Sequence, residues 1–98
     1  MSHALTVRQL AEADLTETYA WYEEQRTGLG REFLGEVEAT FARIVEAPLR
    51  YPLVHREVRR VLTKRFPFAV FYIADAERVV IVAVLNQARD PERWRRRS

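Results

Sequence analysis

Between Arg59 and Trp94 lie the residues best suited to chemistry: Arg59, Arg60, Lys64, Arg65, Arg89 and Arg93, set along strand-like segments and their ends. Guanidinium groups held on a rigid sheet meet phosphates or carboxylates in fixed, often bidentate geometry. A lone arginine at a strand edge as readily only solvates that edge. A cluster around one three-stranded unit is read here as a basic surface for binding a target. Trp94 sits among arginines beyond the last strand, either folded back as an anchor under the sheet or exposed as a contact for a partner.

Other chemistries have little to draw on. His3 and His55 are the two histidines, cysteine is absent, and no acidic pair flanks either histidine at ligand spacing. No metal and no cofactor are therefore expected, and His55 reads as a solvated loop residue. Gly28 and Gly30 belong to a turn between helices, not to a phosphate-binding loop. No nucleophile stands with a base and an orienting acid, so the catalytic residues are left unassigned. Trp21, Tyr22, Phe33, Phe41, Phe66, Phe68, Phe71 and Tyr72 fall at helical or strand periods and are expected in the core.

The elements that must position the cluster follow from periodicity. Ala4 to Arg8 is a short first strand. From Leu10 the pattern Ala11, Leu15, Tyr19, Tyr22 is helical and ends near Thr27-Gly28. Leu29, Phe33, Val37, Phe41 and Ile44 stripe a second helix that Pro48 stops. So short a connection makes the helices an antiparallel hairpin packed on something flat. The flat partner is a meander: Val58 to Leu62, Phe66 to Ala74 and Arg78 to Asn86, with Asp75-Ala76-Glu77 as a tight turn. The run Val79 to Leu85 is apolar at every position, so it belongs inside the sheet with both faces covered. Asp90-Pro91-Glu92 opens a final helical turn. The fold class is α+β, in the order β-α-α-β-β-β with a short C-terminal helix.

Ninety-eight residues make one domain, 1–98, with room for one hydrophobic core. The net charge of +2 hides a split: residues 1–49 sum to −5 and residues 50–98 to +7. A basic half of this kind implies an anionic partner, unless the two halves pair with each other. No stretch has the length of a membrane span, and the N-terminus lacks the apolar core of a signal peptide, so a cytoplasmic protein is expected.

The ordered set Ala13-Asp14-Leu15, Trp21-Tyr22-Glu23, Gly28-Leu29-Gly30, Phe33-Leu34, Pro48, Tyr51-Pro52, Arg59-Arg60, Lys64-Arg65-Phe66-Pro67-Phe68, Val70-Phe71-Tyr72, Arg89-Asp90-Pro91 and Trp94 resembles the RelE/ParE superfamily of bacterial toxins over nearly the whole chain. The resemblance implies the toxin half of a type II toxin–antitoxin pair, neutralised by a cognate antitoxin. In the messenger-RNA-cleaving branch, basic residues surround the scissile phosphate and an acid–base group moves protons. Arg60 and Arg89 match that pattern, whereas Leu62, Ala69 and Asn86 depart from it. The chain is more similar to the ParE-like, plasmid-stabilisation branch, which implies DNA gyrase as target and action by contact. A ribosome-dependent messenger-RNA endonuclease, or a degenerate member that only binds antitoxin, are the alternatives. A homodimer or a toxin–antitoxin hetero-oligomer is the expected assembly.

Alternation along the first meander strand puts Arg59 and Arg60 on opposite faces. Arg60 is expected on the open face, and Arg59 beside the helices, tied to a carboxylate of the acidic first half.

Overall fold

A computed structural model describes residues 4–87 and 92–97; the side chains of Glu92 and Arg93 lie outside the description. The order is β1 (Ala4–Val7), α1 (Gln9–Gln25), α2 (Leu29–Glu46), β2 (Leu53–His55), β3 (Val58–Leu62), β4 (Phe68–Ala74), β5 (Arg78–Asn86) and α3 (Glu92–Arg95). Five strands form one sheet in the order β1-β5-β4-β3-β2. The α+β reading therefore holds, with one strand more than the sequence suggested. That strand, β2, lies in the segment read as a loop, and it carries His55.

The helical hairpin is built by two glycines and one glutamate. Gly28 has φ +91°, a left-handed conformation that side chains disfavour, and it turns the chain directly into α2. A Cβ on Gly30 would lie 2.7 Å from the Tyr19 carbonyl oxygen, so only glycine lets the helices approach this closely. The first N–H groups of α2 need acceptors, and Glu23 of α1 supplies them. Its carboxylate takes the Gly30 N–H at 2.8 Å and the Gly28 N–H at 3.2 Å.

Phe33, Val37, Thr40 and Ile44 form the buried stripe of α2. They pack with Val70, Tyr72, Val79 and Ile81 of the sheet in the main core. Tyr22, Phe33, Phe66 and Phe68 meet edge to face or tilted, with centroids 5.0–6.2 Å apart. The opposite face of the sheet carries a second cluster of Val58, Ala69, Phe71, Ala83, Leu85 and Trp94.

β5 is interior to the sheet and covered on both faces, as its uninterrupted apolar run requires. Phe71 pairs with Ala83 but Tyr72 pairs with Ile81, so Val82 is an extra residue, a bulge. The bulge reverses the alternation: Val79 and Ile81 face the helices before it, and Val84 after it. Apolar residues at every position let this reversal occur without turning a polar group inward.

β4 begins at Phe68 rather than at Phe66. The Thr63 hydroxyl donates to the carbonyls of Phe66 and Phe68, which folds residues 63–67 into a tight connection instead of a ladder. β1 lies parallel to β5, with Ala4 opposite Arg78 and Val7 opposite Ile81. No helix among the described residues is long and apolar enough to cross a membrane.

Candidate interaction site

The expected basic cluster divides into groups with different tasks. Arg59 and Arg60 do face opposite sides of β3: Val61, on Arg59's side, joins the main core, while Val58, on Arg60's side, joins the second cluster. Arg59 is half-buried, and its Nη1 donates to the carbonyls of Tyr51 at 2.6 Å and Leu49 at 3.3 Å. The expected carboxylate partner is thus replaced by two backbone oxygens. They belong to the segment after α2, whose carbonyls lack ladder partners and need a donor. A further fixed point of the segment is the Tyr72 hydroxyl, which donates to the Pro48 carbonyl at 2.6 Å. Burial first of all pushes the Tyr72 pKa up, from 10.0 to about 12.

Arg65 is also engaged within the chain. Its guanidinium meets Glu32 at 3.0 Å, and its backbone N–H donates to Glu36 at 2.9 Å. Glu32 also pairs with Arg26 at 3.0 Å, and hydrogen bonds from Arg26 and Arg65 hold its carboxyl below the usual carboxylate range. Some of the charge split between the halves is therefore satisfied internally. Arg60 and Lys64 are exposed. Arg89 lies outside the described residues, as does the side chain of Arg93 on α3.

Trp94 takes the first of its two alternatives and packs under the sheet. It is 7% exposed and stacks on Phe71, with ring centroids 4.5 Å apart and planes 13° from parallel. The Arg95 guanidinium covers its ring at 5.4 Å, and the His55 ring meets it edge-on at 5.9 Å. His55 is accordingly a half-buried strand residue, not a solvated loop residue, because β2 carries it against α3. The second correction among the rings concerns Trp21, expected in the core but 56% exposed. Adjacent residues on a helix point in different directions, and Tyr22 takes the inward one.

Trp21 instead walls a groove of about 360 Å³ between α1 and the ends of β4 and β5, with Tyr22, Phe68, Val84 and Leu85 on its other sides. At the groove's edge lies a pair that sequence reasoning did not anticipate. Asp14, 4% exposed, accepts from Arg97, 10% exposed, at 2.7 Å, and from the Val84 N–H at 3.0 Å. β1 ends opposite Ile81, so Asp14 occupies the β5 edge where a neighbouring strand would otherwise continue. Two residues at opposite ends of a sequence leave no local signal of such a pairing.

The open face thus presents Arg60 and exposed Leu62 beside a dry patch of Ala69, Phe71, Leu85 and Trp94. What that face exposes is the Arg60 charge and the Leu62 side chain, with the packed patch beside them. Among the described residues, no group of three or more histidine, cysteine or acidic side chains is arranged to hold a metal ion.

Comparison with known proteins agrees with this architecture. Residues 5–91 match the family model for the ParE toxin of type II toxin–antitoxin system, parDE. No curated protein matches the chain. Among solved structures, the chain is similar to one described as the chromosomal ParDE TA system from P. aeruginosa, with a TM-score of 0.77. That alignment has 16% identity and covers 87% of this chain and 96% of the other.

Proposed function

Because the chain belongs to the ParE toxin family of type II toxin–antitoxin systems, we propose that it acts on DNA gyrase by surface contact and is neutralised by a cognate antitoxin. The observation that carries this reading is the Trp94–Phe71 stack with Ala69 and Leu85 around it. A nuclease needs polar groups converging on the reacting phosphate and leaving oxygen. Here that area of the sheet is apolar and packed, and Leu62 stands next to Arg60. Arg60 supplies charge to a contact surface and Trp94 shapes that surface from beneath. On this reading the protein works in the cytoplasm as a single unit of residues 1–98.

The test is supercoiling by purified gyrase. Added toxin should inhibit the reaction and trap cleaved DNA, and prior mixing with the antitoxin should prevent both effects. Unimpaired supercoiling, together with codon-phased messenger-RNA ends in expressing cells that Arg60→Ala abolishes, would sink the gyrase reading in favour of the endonuclease.

A further inference from the structure

Arg56 is the non-glycine residue with positive φ among the described residues, at +53°. It is the first of two residues, Arg56-Glu57, that turn β2 into β3, with His55 paired to Val58 across the turn. Tight turns of this kind favour glycine or asparagine where φ is positive, because a longer side chain is strained there. Here an exposed arginine occupies the position. A residue held at positive φ on an exposed tip is a reason to look for a function there.

Its surroundings point the same way. Residues 50–60 hold four arginines against one glutamate. Arg59 is occupied by the carbonyls of Leu49 and Tyr51. Arg50, Arg56 and Arg60 are exposed, and none of the three has an ion-pair partner among the described residues. Leu49, Leu53 and Leu62 are exposed around this hairpin. Leu53 pairs with Arg59 and so lies on the helical side, whereas Leu62 lies on Arg60's side, so a segment crossing the edge at β2 meets both. Unpaired guanidinium groups alone suit a phosphate backbone. Mixed with exposed leucines they suit a protein segment that carries carboxylates and apolar side chains together.

We infer that the β2–β3 hairpin, with Arg56 at its tip, is a docking surface for an acidic, apolar segment of the cognate antitoxin. The inference rests on the antitoxin reading above and adds to it the place and chemistry of the contact. Guanidinium groups of Arg50, Arg56 and Arg60 receive the carboxylates, and Leu49, Leu53 and Leu62 receive the apolar side chains.

Titrating purified antitoxin against the wild type, Arg56→Gly and the triple variant Arg50→Gln/Arg56→Gly/Arg60→Gln provides the test. Glycine accepts the turn readily, so Arg56→Gly should keep or raise the melting temperature. The same variant should weaken antitoxin binding roughly tenfold, and the triple variant more, with a flatter salt dependence. Affinity unchanged in the triple variant overturns the docking surface while the antitoxin reading stands. If the wild type itself does not bind the antitoxin, that reading fails and the inference falls with it. A DNA duplex of about 20 base pairs serves as the competing probe. Loss of duplex binding in the triple variant with antitoxin affinity intact assigns the hairpin to nucleic acid and overturns the proposal.

Discussion

Arg97 and Asp14, 83 positions apart, meet in a two-pronged ion pair, with Nη1 to Oδ2 at 2.7 Å and Nη2 to Oδ1 at 3.1 Å. The Arg97 Nη1 also donates to the Val82 carbonyl at 3.3 Å, and Asp14 takes the Val84 N–H. Arg8 closes the arrangement by donating to the Arg97 carbonyl at 3.3 Å. Three parts of the chain are thereby joined around the free edge of β5: the start of α1, the bulged strand and the end of the chain described.

Removing one member of a nearly buried ion pair strands the other. Asp14→Ala should lower stability by about 3 kcal/mol. Asp14→Asn should cost less, since its side-chain oxygen still accepts from Val84. Thermal melts measure both, and Trp94 fluorescence shows whether α3 lifts from Phe71. A melting temperature unchanged in Asp14→Ala would exclude a structural role for the pair.

Gly30 and Gly35 lie on the same helix and should respond oppositely to alanine. At Gly30 the added methyl group meets the Tyr19 carbonyl, so overpacking should cost about 1–3 kcal/mol. At Gly35 nothing lies within 4 Å, and better helix propensity should add up to about 1 kcal/mol. Denaturant midpoints of the two variants decide the matter.

Arg59→Ala should destabilise by about 2 kcal/mol, the range for losing charged hydrogen bonds and leaving carbonyls unpaired. Arg60→Ala should melt like the wild type while losing toxicity. Early melting of Arg60→Ala with a normal Arg59→Ala would invert the assignment of faces.

Tyr72 sets an alkaline limit. Its pKa is raised, so its contribution to stability is complete below pH 10, the value of an unburied tyrosine, and is lost as pH rises to about 12. The unfolded chain ionises first and draws the equilibrium toward itself. Stability measured against pH should fall less steeply across that window in Tyr72→Phe, which at neutral pH costs about 1 kcal/mol for the bond to Pro48.

Much of this fold is legible because its signals are local and repeated. The stripe from Phe33 to Ile44 names a helix face, and Gly28 with Gly30 names the hairpin. Val79 to Leu85 can only be an interior strand. The same uniformity hides the bulge at Val82, since either face accepts any of those residues. β2 is three residues long, next to Pro52, too short for alternation to show. At the candidate site, alternation separates Arg59 from Arg60, but the partner of Arg59 is a carbonyl pair that no side-chain pattern announces. The Asp14–Arg97 pair depends on the finished topology and on nothing nearby in sequence.

The parallel pairing of β1 with β5 has a consequence for biogenesis. Ala4–Val7 is made before the other elements described, yet its partner Arg78–Ile81 belongs to the last of the five described strands. Every intervening element must be synthesised before β1 has a neighbour, and contacts of such separation form slowly. The helical hairpin meets the same delay, because much of the surface it covers belongs to β4 and β5. A nascent chain therefore carries an apolar hairpin without its sheet until β4 and β5 have emerged. Folding, and with it any harmful action, is thereby deferred until β5 has been made.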